Sequence, residues 1–151
     1  MSRVRRRVAG FTLIELMVAI LIAGILMTVV GLSVRGSDRS LQFEADRVGQ
    51  LLALAREEAQ VRGARIRFEA DGSGYRFVIR RQGRWVPILD DRDLRAREWA
   101  GPTTVLLQRA DGRQVIEFGR DAVDSPFVLV LARDGREHRI LANGLGHFEV
   151  R

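Results

Sequence analysis

The sequence predicts an α+β protein: a long N-terminal helix packed on a C-terminal antiparallel β-sheet or sandwich. Three observations predict it. Residues 11–34 form one long apolar run. Apolar residues over 41–59 recur at spacings of three and four, the helical period. From Ala64 the period changes to two, the strand period. The chain of 151 residues allows one domain of ordinary size, and its 46% hydrophobic content supports a core.

Residues 1–10, MSRVRRRVAG, are short, basic and free of acid. The run at 11–34 is long enough to cross a hydrocarbon core of ~30 Å as a helix. The arginines before it predict a cytoplasmic N-terminus and a translocated body. A secretory signal has a shorter apolar stretch, usually ~7–15 residues, and ends in an A-x-A-like site. Here the exit through Gly31 and Ser33 lacks that pattern. Glu15 does not suit a plain anchor. A carboxylate deep in a membrane helix costs at least ~2.5–3.5 kcal/mol, so it calls for a partner. A cut between Gly10 and Phe11 would create an α-amine one helical turn from Glu15. The two could then neutralise each other, within or between subunits.

The formal charge is +6, and all 25 basic residues are arginine. Four of them, Arg3, Arg5, Arg6 and Arg7, lie in the first ten residues. Without these, 21 bases face 19 acids, so net charge does not indicate a strongly basic nucleic-acid surface on the body. Cysteine is absent. That excludes a disulfide scaffold, a thiol nucleophile and cysteine-based metal sites.

Gly31, Ser33, Gly36 and Ser37 mark a soft spot after the apolar run. Leu41, Ala45, Val48, Leu52, Ala55 and Ala59 then form the stripe of an amphipathic helix ending at Gly63, with Glu44, Arg47, Arg56 and Glu57 between them. Packing on the chain's own domain is the preferred role for that stripe, ahead of packing on another subunit. Ile66, Phe68 and Ala70, the turn D-G-S-G at 71–74, and Tyr75, Phe77 and Ile79 predict a β-hairpin. A short strand follows at 85–89, limited by Pro87. A polar loop holds Asp90, Asp91, Arg92 and Asp93 and runs to Gly101–Pro102. Further strands are expected at 103–108, 113–118, 127–132, 137–141 and 147–150, with turns at Asp111–Gly112 and Asp134–Gly135. The body is thus roughly seven or eight short strands with a helix laid on it.

Few residues suggest chemistry. Asp90, Asp91 and Asp93 could offer oxygen ligands to calcium, but Arg92 and Arg95 interrupt them and no bidentate Glu follows. A solvated loop or a salt bridge is the better reading. His138 and His147 have no flanking ligand pattern. No metal or cofactor is expected. No nucleophile elbow, phosphate loop or activated carboxylate pair is present, and Ser125 before Pro126 reads as a turn residue. Arg76, Arg80, Arg81 and Arg84, with Tyr75 and Trp85, form the densest basic group of the body. Such a group can bind phosphates and stack bases, yet alternating arginines on a hairpin are ordinarily its solvated face.

G-F-T-L-I-E-L, from Gly10 to Leu16, resembles the processing motif of type IV pilins and type II secretion pseudopilins. G-R-W-V-P-I-L-D-D-R-D-L (83–94), I-E-F (116–118), D-S-P-F-V-L-V-L (124–131) and N-G-L-G-H-F-E-V (143–150) resemble the globular domain of the GspH/FimT group. The resemblance covers nearly the whole chain. It implies a pilin-like fold divided into a cleaved leader (1–10), a transmembrane and filament-core helix (11–35), an amphipathic helix (36–63) and a β-rich periplasmic domain (64–151). It implies that prepilin peptidase cuts after Gly10 and methylates Phe11, and that Glu15 guides assembly. The chain would be a substrate of that enzyme and not itself an enzyme. As a minor pseudopilin of the inner membrane and periplasm, it would act at or near the pseudopilus tip in export of folded proteins. Its partners would be the other minor pseudopilins, the major pseudopilin, the secretin and exported proteins. The alternative within the group is a minor type IV pilin that binds DNA for uptake through Arg76, Arg80, Arg81 and Arg84. The small net charge of the body argues against a nucleic-acid partner.

Overall fold

The computed structural model describes residues 13–121 and 123–151, with 26–38 described by their backbone alone. Gly10, Phe11 and the expected leader lie outside the described residues. The chain divides into two compact units, Met1–Gly36 and Ser37–Arg151. One helix, α1 (Leu13–Arg62), contributes to both. The expected soft spot at 31–37 is helical in backbone, and the division between the units falls at its end.

In the second unit, the predicted stripe Leu41, Ala45, Val48, Leu52, Ala55 and Ala59 is wholly buried in the domain's own core. The helix ends where left-handed Gly63 lets Ala64 N–H reach back to the Ala59 carbonyl. A side chain at residue 63 would also meet the Arg120 guanidinium.

Nine strands follow among the described residues: β1 (Ile66–Ala70), β2 (Gly74–Arg81), β3 (Arg84–Pro87), β4 (Arg97–Glu98), β5 (Thr104–Arg109), β6 (Ile116–Phe118), β7 (Phe127–Arg133), β8 (Arg136–Ala142) and β9 (Phe148–Val150). One sheet runs β3-β2-β1-β6, with β4 also paired to β2. The other runs β5-β7-β8-β9. Every pairing is antiparallel. The register Ile66↔Ile79, Phe68↔Phe77 and Ala70↔Tyr75 puts the apolar set of β1 and β2 on one face, as the alternation demands. Those side chains, Leu129, Leu131 and Ile140 of the second sheet and the α1 stripe form one core.

The turns follow from their residues. Asp71 accepts the N–H of Ser73 and of Gly74 and the Ser73 hydroxyl, closing the D-G-S-G turn. Asp134 and Gly135 both have positive φ, the two-residue turn that matches strand twist. Gln82 and Gly83 also both have positive φ and make the same turn between β2 and β3.

Three expectations are corrected. The polar loop after residue 89 contains β4 and is pinned from inside: Ile88, Leu94 and Trp99 are buried. Trp99 donates from Nε1 to the Asp71 carbonyl at 2.8 Å and packs 4.7 Å from the Tyr75 ring centre. The strand expected at 113–118 is only 116–118. Arg109 grips Asp111 through Nε and Nη2, and its Nη1 takes the Val115 carbonyl, so 110–115 is held as a loop. Those bonds hold the Asp111 carboxyl well below the usual carboxylate range. Finally, the strands exceed the seven or eight expected, because β4 adds one.

Candidate functional site

The first unit offers one chemical feature among its described residues. Over 13–25 every residue is exposed, including Leu13, Ile14, Met17, Ile20, Leu21 and Ile25. A helix apolar all round buries no stripe of its own and needs lipid or other helices around it. Glu15 lies in its first turn, where the positive end of the helix dipole favours a carboxylate. No helix among the described residues is long and apolar enough to cross a membrane. The apolar run of the sequence extends beyond 13–25 on both sides, and that stretch alone falls short of the ~20 residues a span needs.

The arginine group on the body is partly neutralised by neighbouring carboxylates. Arg76 donates to Glu69 at 2.8 Å, and Arg81 lies 3.7 Å from Asp90. Arg67, opposite Val78, reaches Glu117 at 3.2 Å and stacks 4.0 Å from the Trp85 ring centre, with Arg80 at 6.0 Å. Arg84 is exposed and pairs in register with Arg81. Glu69, Asp90 and Glu117 compete with phosphates for the guanidinium groups they reach, those of Arg76, Arg81 and Arg67.

The acidic run is spent on structure. The Asp91 carboxylate accepts the N–H of Asp93 and of Leu94 and lies 3.7 Å from Arg62. His138 lies on β8, while His147 precedes β9 opposite Asn143, near the other end of the pair. Among the described residues no three metal-ligating side chains converge. Ser125 hydrogen-bonds the Asp111 carboxylate, in keeping with a turn role.

Two polar constellations went unread in the sequence. Arg133, at the end of β7, has a side chain only 6% exposed. It donates to Glu44 of α1 at 2.6 Å and to the Thr103 hydroxyl at 2.6 and 3.0 Å. Glu44 also accepts the Ala100 N–H at 2.8 Å. One ion pair thus ties α1, the second sheet and the 99–103 loop. The other constellation is a latch. Arg56 of α1 lies 3.4 Å from Asp124, whose N–H bonds the Gly144 carbonyl at 2.8 Å. Burial pushes the Asp124 carboxyl up, against the pull of Arg56. Gly144 and Gly146 both have positive φ, and a Cβ there would run into the Asp124 carbonyl or the Arg56 guanidinium. The only readable signal for it was the N-G-L-G spacing.

Known proteins resemble the chain over both units. A family model for the prokaryotic N-terminal methylation motif matches residues 5–31, which include Gly10, Phe11 and Glu15. A second model, Type II transport protein GspH, matches residues 44–146. Type II secretion system protein H of Pseudomonas aeruginosa is 32% identical, over 88% of each chain. Its counterpart in Aeromonas hydrophila is 28% identical, over 91% of this chain and 87% of that one. The minor pseudopilin EpsH of Vibrio cholerae shares the fold at a TM-score of 0.62 and 16% identity, over 74% of this chain and 96% of that one. E. coli GspH does so at 0.57 and 22%, over 78% and 92%.

Proposed function

The chain belongs to the GspH family of type II transport proteins, and on that premise we propose that it serves type II secretion as a minor pseudopilin, a structural subunit. The observation that carries the reading is the joint match of the methylation motif to the apolar N-terminus and of the GspH family to the β domain. The match to type II secretion relatives favours this reading over DNA uptake, and Arg67, Arg76 and Arg81 of the arginine group are already engaged by carboxylates.

In this account residues 11–35 anchor the precursor in the inner membrane, with the β domain in the periplasm. Prepilin peptidase removes residues 1–10 and methylates Phe11. The apolar helix then leaves the bilayer for the core of a short pseudopilus, where neighbouring helices cover the surface now exposed at Leu13, Ile14, Met17 and Ile20. Glu15 meets the α-amine of a neighbouring Phe11, so each buried charge has its partner. The subunit sits at or near the tip with its minor siblings above the major pseudopilin. From there it supports passage of folded proteins through the secretin.

Processing is tested by mass. Gly10→Val places a branched side chain at the cut, and the precursor is expected to keep residues 1–10 while Gly10→Ala is still cleaved in part. A Gly10→Val chain with the mature N-terminus at Phe11 would overturn the assigned site.

A further inference from the structure

In the second unit, one flank of α1 lines an open groove against the 146–150 segment. Phe43, Asp46, Gly49, Gln50 and Ala53 form one wall, and Gly146, His147, Phe148 and Val150 the other, enclosing about 590 Å³. The groove continues along Arg56, Glu57 and Gln60, with the Arg56 guanidinium drawn to Asp124. Asp46, Gln50, Ala53, Glu57 and Gln60 are spaced four, three, four and three, a straight seam along the helix separate from its buried stripe. The floor is low because Gly49 carries no side chain; a Cβ there would touch Val150 and Ile140 at 3.5 and 3.7 Å.

Two features make this seam unlike an ordinary solvated face. Asp46 and Glu57 lie eleven residues apart, three turns and about 16 Å along the helix, and neither carboxylate has an ion pair or hydrogen bond among the described residues. Most other acids of this unit do. Beside the groove, Leu145 is 67% exposed at the apex of the Asn143–His147 loop. That loop is fixed by the Asn143 side chain, which accepts the N–H of Leu145 and of His147, and by the Gly144 carbonyl, which accepts the Asp124 N–H. A rigid loop presenting an apolar side chain is preorganised for contact, since little freedom remains to be lost on binding.

We propose that this groove docks an amphipathic helix of a different pilin-like subunit, one carrying basic residues three turns apart. Those cations meet Asp46 and Glu57, a small or apolar residue between them sits on Ala53, and Leu145 and Phe43 close the two sides. The length favours a helix over an added strand, because β9 offers only three residues of edge. A second copy fits poorly. Arg56 and Arg62 of its α1 are already engaged, and Arg39 and Arg47 are eight residues apart instead of eleven. The inference rests on the pseudopilin reading and adds the face and the chemistry of the partner.

The absence of cysteine gives a clean test. Full-length chain bearing Gln50→Cys is labelled with a thiol-directed photo-crosslinker in cells making the whole secretion apparatus, and adducts are identified by mass spectrometry. Arg113→Cys, in the exposed loop before β6, serves as the control position. We expect adducts from residue 50 to a basic helix of another pilin-like subunit. Asp46→Arg with Glu57→Arg should lower their yield about three- to tenfold. Should the double reversal misfold, Asp46→Asn with Glu57→Gln is expected to lower it in the same direction. Adducts from residue 50 to a second copy, a strand or lipid would overturn the proposal. So would adducts to sibling subunits from residue 113 alone. No adduct to any pilin-like subunit from either position would overturn the pseudopilin reading with it.

Discussion

Arg133→Ala is expected to destabilise the β domain by about 3 kcal/mol, the low end of what breaking a buried ion pair costs. The guanidinium makes the bonds to Glu44 and Thr103 almost out of reach of water. Without it Glu44 is left a charge with only the Ala100 N–H, and the buried Thr103 hydroxyl keeps its own bond to the Gly101 carbonyl but loses its donor. For a unit of this size the loss corresponds to a fall in Tm of about 10 °C. Arg139→Ala is the comparison. Its ion pair with Glu137 is exposed on both sides, so its loss should stay within about 0.5 kcal/mol. Thermal unfolding of the detergent-solubilised chains measures both. Equal Tm values for the two variants would show that the Arg133 pair does not fasten α1 to the second sheet.

The second large effect is expected at Glu15. Glu15→Val removes a carboxylate from an otherwise apolar helix, which should make the membrane-embedded precursor more comfortable and leave removal of residues 1–10 intact. Assembly should suffer instead. Valine leaves the α-amine of a neighbouring Phe11 buried without its counter-charge, a loss of the kind that costs several kcal/mol. Incorporation into the pseudopilus, followed by crosslinking and shear release, should fall at least about tenfold. Glu15→Asp, with the charge kept on a shorter arm, should retain part of it. Normal incorporation of Glu15→Val would refute the charge-pairing role.

These two residues illustrate what a sequence makes legible. Glu15 stands out because its anomaly is local: one carboxylate in an apolar run. The same holds for the α1 stripe and for the hairpin of β1 and β2, whose periods are written in consecutive residues. Arg133 gave no such signal. Its partner Glu44 is 89 positions away, and only the pairing of two sheets brings them together. The pairing of Arg76 with Glu69 lies within the legible hairpin and follows from its register, whereas that of Arg81 with Asp90 depends on the path of the loop after β3. Trp99 and Leu94 were hidden by polar neighbours, although a lone Trp in a charged loop is a fair hint of an anchor. The turn at Gln82–Gly83 carries a weak local signal, a glycine after a run of alternating residues, without the Asn or Asp that marks such turns most clearly.

The most direct test is protein export in a strain that lacks this chain but keeps every other subunit. Normally secreted folded enzymes are expected to accumulate in the periplasm, and the wild-type chain to restore their release. Glu15→Val is expected not to restore it. Unimpaired secretion in the deletion strain would contradict the assignment to the secretion pseudopilus.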